Sequence, residues 1–316
     1  LANIKQVAAR AGLSVACVSK YLKNADSVLP ASRSRIEAAI RELQYVPSRT
    51  ARSLRTKRSY NIQVVVENIT NPFFAELFET MRRALEGYGY TAILRPLDKP
   101  FSREDFDGAD GVAACFLEDE ARIGEIGRAA GERPVLCVHW KRLPPERPGV
   151  WAEVQEGMAL AAAHLMESGC RRIAYVGGPE GNAISAVKRQ GAQAVLRHPF
   201  AASYTGEFCF QTGYDAAKAL ASLKERPDGV LCENDVLAAG VICGLHRRGL
   251  RVPEDLRVTG FDNIPLAGMY IPAITSVAVP IADMCAEAAR QLIGMLDNKP
   301  AESRAFSPAL VLRQSA

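Results

Sequence analysis

The chemistry most visible in this sequence is that of positive charge. Of its 39 Lys and Arg residues, twelve lie within the first 60 positions (Lys5, Arg10, Lys20, Lys23, Arg33, Arg35, Arg41, Arg49, Arg52, Arg55, Lys57 and Arg58). Only Asp26, Glu37 and Glu42 oppose them, so this head carries +9 while the other 256 residues carry −5. A basic head on a mildly acidic body suits an anionic polymer held by the head alone. A merely solvated basic face would have the same charge, so the decision falls to motifs.

Other reactive side chains are not arranged for catalysis. His139, His164, His198 and His246 stand far apart, without metal-ligand spacing. The eight cysteines occur singly, with no Cys-x-x-Cys pair, as expected of reduced thiols that fill a core. The run Gly177-Gly178-Pro179-Glu180-Gly181 is neither a dinucleotide fingerprint nor a phosphate loop, and reads as a tight strand-to-helix turn. No Gly-x-Ser-x-Gly elbow occurs. The sequence therefore indicates no enzyme, and calls for no cofactor and no metal.

The elements that must position the charge can be read from spacing. Asn3 caps a first helix with Ile4, Val7, Ala8 and Ala11 on one face, and Gly12 suits its left-handed end. Ser14 caps a second helix with Val18, Tyr21 and Leu22 inward. A third helix is expected from about Ser32, burying Ile36, Ala39, Ile40 and Leu43 and stopping before Pro47. Two helices joined by so short a Gly-containing turn form a helix-turn-helix. From Tyr60 on, apolar runs at Ile62–Val66, Gly111–Phe116, Val135–Val138, Ile173–Val176, Gly229–Cys232 and Val258–Phe261 alternate with amphipathic stretches of helical length. This pattern predicts parallel sheets covered on both faces, and roughly ten such alternations are too many for one sheet. Two α/β lobes are expected.

Composition agrees. With 48% hydrophobic and 23% charged residues over 316, the chain is globular in type and long enough for two or three domains. Its longest uncharged run, Asn263 to Ala282, contains Pro265, Pro272 and Pro280, which would break a spanning helix, so no membrane partner is expected. No apolar signal region follows Leu1-Ala2-Asn3-Ile4-Lys5, and a cytoplasmic location is expected. Between head and body, Pro47 to Arg58 is basic and nearly devoid of apolar residues apart from Ala51 and Leu54. It is too short for a stable isolated helix. Either it is a charged linker, or it folds on DNA with Leu54 as its apolar contact.

Val7-Ala8-Ala9-Arg10-Ala11-Gly12-Leu13-Ser14, Val18-Ser19-Lys20, Arg35-Ile36 and Tyr45-Val46-Pro47-Ser48-Arg49 together resemble the LacI/GalR family of bacterial transcription regulators. The resemblance runs on through Asn71-Pro72-Phe73-Phe74-Ala75-Glu76, Gly169-Cys170-Arg171-Arg172-Ile173-Ala174, Gly177-Gly178-Pro179, Asn234-Asp235, Gly249 to Asp255, Gly260-Phe261-Asp262 and Tyr270-Ile271-Pro272. It covers essentially the whole chain in the family's order. The fold it implies is a three-helix DNA-binding head at 1–46, a hinge at 47–59, and a two-lobed periplasmic-binding-protein-like core at 60–316. Lobe 1 would take about 60–152 plus 279–301, and lobe 2 about 153–278 plus 302–316.

The resemblance implies a homodimeric, sequence-specific repressor of a carbohydrate-type operon, bound to double-stranded operator DNA. The second helix would enter the major groove, where short apolar Val15 and Ala16 suit thymine methyls. Ser14, Ser19, Lys20 and Lys23 lie on the same end or face, within reach of phosphates. Asn3, Ile4, Ser27, Val28 and Tyr45 would also touch DNA, as would Ser48, Arg49, Ala51 and Leu54 in the hinge. Lys23 and Leu29 depart from the family's usual Asn and Ser. A small effector (a sugar, sugar phosphate or purine-like molecule) would bind between the lobes. Its implied contacts are Asn71, Phe73, Phe74, His139, Lys188, Phe208, Asn234 and Asp262. Lys188 replaces the usual Arg, His139 a common Asp and Val279 a frequent Gln. The competing reading, a cytoplasmic α/β enzyme or solute-binding protein with an incidental basic N-terminus, leaves the +9 head unexplained.

Leu54→Ala provides a test of the hinge. If Leu54 wedges into the minor groove, the variant bends operator DNA less and discriminates it less from random DNA. Its non-specific affinity, which rests on charge, stays nearly unchanged. A circular-permutation assay in which variant and parent bend alike would reduce the segment to a tether.

Overall fold

Asn3 opens the first helix through a reciprocal pair of bonds: its side chain accepts the Gln6 backbone N–H, and the Gln6 side chain accepts that of Asn3. This comes from a computed structural model describing residues 2–45, 53, 56–144 and 146–316. The operator contacts expected of Ser48, Arg49, Ala51 and Leu54 lie outside the described residues. The chain divides into two units, Leu1–Ser59 and Tyr60–Ala316.

The head contains α1 (Ile4–Ala11), α2 (Val15–Lys23) and α3 (Pro30–Glu42), with a 3-10 turn at Ala25–Ser27. Gly12 ends α1 at φ 63°, and Ser14 Oγ accepts the Cys17 N–H to start α2. The third helix begins at Pro30 rather than at Ser32, because proline's fixed φ suits a first helical position. Val7, Ala8, Ala11, Val18, Ile36 and Ala39 form its core, with Tyr21, Leu22, Ile40 and Leu43 packed partly buried against them. All three acids of the head are ion-paired, Glu42 to Arg10, and Asp26 and Glu37 to Arg33.

The body begins with β1 (Asn61–Val66), α4 (Pro72–Glu86), β2 (Thr91–Pro96), β3 (Gly111–Cys115), α5 (Glu120–Ala130), β4 (Val135–His139) and β5 (Gly149–Ala152). Next come α6 (Val154–Glu167), β6 (Ile173–Gly177), α7 (Ala183–Val195), β7 (Ser203–Thr205), α8 (Phe210–Ala221), β8 (Gly229–Cys232), α9 (Asp235–His246) and β9 (Arg257–Asp262). It closes with α10 (Pro265–Met269), β10 (Thr275–Ala278), α11 (Ile281–Leu296), β11 (Arg304–Phe306) and β12 (Ala309–Val311). These strands form two six-stranded sheets, ordered β11-β5-β4-β3-β1-β2 and β12-β10-β9-β8-β6-β7. Among the described residues every strand pairing is parallel except β10 with β12. The two expected lobes are therefore two sheets with helical crossovers.

One boundary differs from the sequence reading. Residues 302–316 do not all belong to lobe 2, since β11 pairs Arg304 with Val150 and Phe306 with Ala152 in the first sheet. Only β12 joins the second sheet, where Leu310 lies opposite Val277. A three-residue strand with two exposed positions carries no apolar signal that could have assigned it. The chain thus passes between lobes three times, after β5, β10 and β11.

In the second lobe α8 and α9 approach so closely that glycine is required between them. A Cβ on Gly213 would lie 2.1 Å from the Leu237 carbonyl oxygen, and one on Gly240 2.2 Å from that of Phe210. Backbone cannot yield as a flexible side chain can. Gly213→Ala should therefore destabilise the body by about 3 kcal/mol or more, beyond the usual range for modest overpacking. Denaturant unfolding checks this, and a change below about 1 kcal/mol would show that the helices can separate freely.

Candidate functional site

The head presents one candidate surface. Val15 is 42% exposed and Ala16 and Lys20 are exposed, all at the start or outer face of α2. Core packing does not explain Val15 and Ala16, since Val18 fills the interior instead. Asn3 and Ser14 are exposed caps, and Ile4 and Tyr45 are partly buried against the head core. Ser27 Oγ donates to the Asn24 carbonyl and, with Val28, is half-buried, whereas Leu29 is 75% exposed. Ser19 is half-buried within α2, and Lys23 closes that helix with its side chain outside the described atoms.

The second candidate lies in the body, where both sheets end their strands around a cavity of about 660 Å³. Ligands of open α/β sheets bind at this end, where strand order reverses and loops present polar groups. After β1 come Glu67 and Asn71, and Asn71 caps α4 by accepting the Phe73 N–H. Phe73 packs edge-on against both Phe74 and Phe116, making an aromatic wall of the first lobe. Glu118 follows β3 and Trp140 follows β4. From the second lobe come Asn182, Lys188 on α7, Phe208, Glu233, Asn234 and Asp262. The side-chain amide of Asn182 donates to Glu118 Oε1, joining the lobes across the cleft.

Of the expected effector contacts, Asn71, Phe73, Phe74, Lys188, Phe208, Asn234 and Asp262 line this cavity, as does Val279. His139 does not. Its ring is 1% exposed, with Nε2 hydrogen-bonded to the Leu117 carbonyl at 2.9 Å, and it stacks on Trp140. Burial holds its pKa down at about 4, so it is neutral, and it supports Trp140 from behind. Glu67, Glu118, Trp140, Asn182 and Glu233 line the cavity without having been singled out from sequence. For Glu67 and Glu233 a usable signal exists, because each directly follows an apolar run that became a strand.

Lys188 is 4% exposed. Its Nζ donates to the Glu233 carbonyl at 2.8 Å, stands 3.8 Å from Asp262 Oδ1, and lies 3.8 Å from the centroid of the Phe261 ring. The Glu233 carboxylate accepts hydroxyl bonds from Tyr175 and Ser185. Gly177 and Gly178 are small for room: a Cβ at the first would meet Glu233 Oε1, and one at the second the Phe208 ring. The glycines of this strand-to-helix turn thus serve packing. Burial raises the Asp262 pKa, opposed by Lys188 and reinforced by the Glu233 charge.

Asp262 reaches the cleft from an unusual backbone, with φ 94° followed by 55° at Asn263. Buried Asp235 holds that turn. Its Oδ2 accepts the Ile264 N–H at 2.8 Å, while its Oδ1 bonds the Ser276 hydroxyl, which in turn accepts the Asn263 N–H at 3.0 Å. Asn234 is both a lining residue and a helix cap, its Oδ1 accepting the Leu237 N–H.

Residues 3–48 match the family described as bacterial regulatory proteins, lacI family, and residues 162–316 match the periplasmic binding protein-like domain. Over its whole length the chain is 31% identical to the ribose operon repressor of Halalkalibacterium halodurans, covering 97% of that protein. It is 28% identical, again over its whole length, to the HTH-type transcriptional repressor PurR of Photobacterium profundum, covering 98% of it. A solved LacI family transcriptional regulator from Enterococcus faecium, with bound ribose, superimposes with a TM-score of 0.72 at 26% identity. That match covers 81% of this chain and 98% of the other.

Burial and the nearby Asp262 charge push the Asp235 pKa up to about 8, against 3.8 for a free side chain. Between these values the folded chain keeps a proton that the unfolded chain has lost. Stability from this group is therefore present at low pH and declines as pH rises through the window, by up to ~1.4 kcal/mol per pH unit. Asp235→Asn, which matches the neutral form, should lack that decline and gain on the parent between pH 5 and pH 8. Parallel pH profiles in denaturant unfolding would show that Asp235 is ionised in the fold.

Proposed function

Because this chain belongs to the LacI family of bacterial regulatory proteins, we propose that its head reads an operator and its cleft the effector that controls the reading. The protein is then a homodimeric, sequence-specific DNA-binding repressor of a carbohydrate-type operon. The observation that carries this is the outer face of α2: apolar Val15 and Ala16 beside Lys20, all exposed, on a head of net charge +9. Apolar side chains left in water at a helix start, ringed by charge, suit base edges flanked by phosphates. Ser14, Ser19, Lys20 and Lys23 hold the backbone, with Asn3, Ile4, Ser27, Val28 and Tyr45 at the margins. The relatives support the class of ligand as small and polar, one being a repressor of a ribose operon and another crystallised with ribose.

The mechanism follows from linkage. An effector that contacts one lobe arrangement better than another shifts the population able to hold two heads on a two-fold site. Asn71, Phe74, Lys188, Phe208 and Asp262 would make those contacts from both lobes.

A mobility-shift assay with fragments of the encoding locus tests the reading. Two-fold heads require a near-palindromic site, and with ~6–10 phosphate contacts the affinity should fall ~10³–10⁵-fold from 50 to 200 mM salt. A flat salt response, or no retarded fragment at low salt, would overturn it.

A further inference from the structure

The charge of the cleft narrows its ligand more than the names of relatives do. Glu67, Glu118, Glu233 and Asp262 line the cavity partly or fully buried, with exposed Glu180 and Glu207 also among the lining residues. Lys188 is the one basic residue in that lining among the described residues. Its charge is already met by Asp262, the Glu233 carbonyl and the Phe261 ring, so it offers little to an incoming anion.

Neither Glu67 nor Glu118 forms an ion pair among the described residues. Glu67 accepts the Glu118 N–H at 3.2 Å, and Glu118 accepts the Asn182 amide. Glu67 faces the like charges of Glu118 and Asp119, and burial raises its pKa. Arg122, whose charge acts on Glu67, is itself held by Glu125 at 2.6 Å and by the Lys99 carbonyl. A phosphorylated ligand would add negative charge to this set, whereas an ammonium would relieve it.

A second, independent feature also asks for a ligand. Trp140 lines the cavity at 3% exposure, and its buried indole Nε1 finds no acceptor among the described residues. A buried N–H left unpaired is costly unless something completes it. A ring oxygen or hydroxyl of a bound molecule would do so. We infer that the effector is a sugar-sized polar molecule carrying an ammonium group, its cation held by Glu67 and Glu118 and an oxygen held by Trp140. The inference rests on the cleft being the effector site.

Calorimetry on the full chain with four probes tests it: D-glucosamine, D-glucose, D-glucose 6-phosphate and D-ribose. D-glucosamine should bind at least ~10-fold more tightly than D-glucose or D-ribose, and the phosphate should give no saturable heat. The E67Q/E118Q double variant should bring D-glucosamine down to the level at which that variant binds D-glucose. Tighter binding of D-ribose, D-glucose or the phosphate than of D-glucosamine overturns the inference, as does saturation by none of the four. The parent comparison needs no variant, so it stands even if the double variant misfolds. If a neutral sugar binds best and Phe74→Ala weakens it, the cleft reading survives and only the charge assignment fails. If Phe74→Ala, Trp140→Phe and the double variant all leave binding untouched, the ligand sits elsewhere and both fail.

Discussion

The ammonium of Lys188 cannot be withdrawn from water alone, and much of the cleft is arranged around that requirement. A buried charge persists only where an opposite charge and hydrogen-bond acceptors replace its hydration. The Glu233 carbonyl, the Asp262 carboxylate and the Phe261 ring supply them, from the ends of the adjacent strands β8 and β9. Each partner then imposes a requirement of its own. Glu233 needs the Tyr175 and Ser185 hydroxyls and a residue without a side chain at Gly177. Asp262 needs a left-handed turn, which Asp235 and Ser276 hold, and Asp235 needs Gly260, where a Cβ would lie 2.2 Å from its Oδ1. The floor of the cleft is therefore one connected polar network with Lys188 at its centre.

What the sequence disclosed, and what it did not, follows from how each residue is buried. Central strands such as Gly111–Cys115 are buried at every position and read as unbroken apolar runs. Edge strands such as Ser203–Thr205 and Arg304–Phe306 are largely exposed, so their composition is that of loops. The cleft residues Asn71, Asn234 and Asp262 are legible through the family resemblance, whose motifs contain them, and all three line the cavity. His139 misled because successive residues at the end of an extended strand point in opposite directions, so the cavity receives Trp140 instead. Glu67 and Glu118 are ambiguous in the sequence for a related reason. A charged residue beside an apolar run reads as a solvated strand end, and only the opposing lobe makes it a cleft wall.

Head and cleft divide electrostatics between them by solvation. The head keeps its excess of nine positive charges on a small domain, where its three acids already engage Arg10 and Arg33, so further neutralisation must come from outside. The cleft keeps carboxylates in a partly desolvated space, where each charge counts for more than it would in water. The first arrangement favours long-range, salt-sensitive attraction to a polyanion, and the second short-range selection of one small molecule.

The connection between these tasks is a matter of geometry within the body. The polypeptide crosses between lobes three times, after β5, β10 and β11, through segments of only one or two residues. Short crossings leave the lobes few ways to differ, chiefly by hinge rotation. Across the cleft, Asn182 of the second lobe bonds Glu118 of the first. A ligand bound to Glu118 meets this same carboxylate, so it cannot be indifferent to whether the bond is made. An effector shifts an arrangement only through contacts that differ between states. At Glu118 the ligand's contact and the inter-lobe contact share one side chain, which is the condition for them to be coupled.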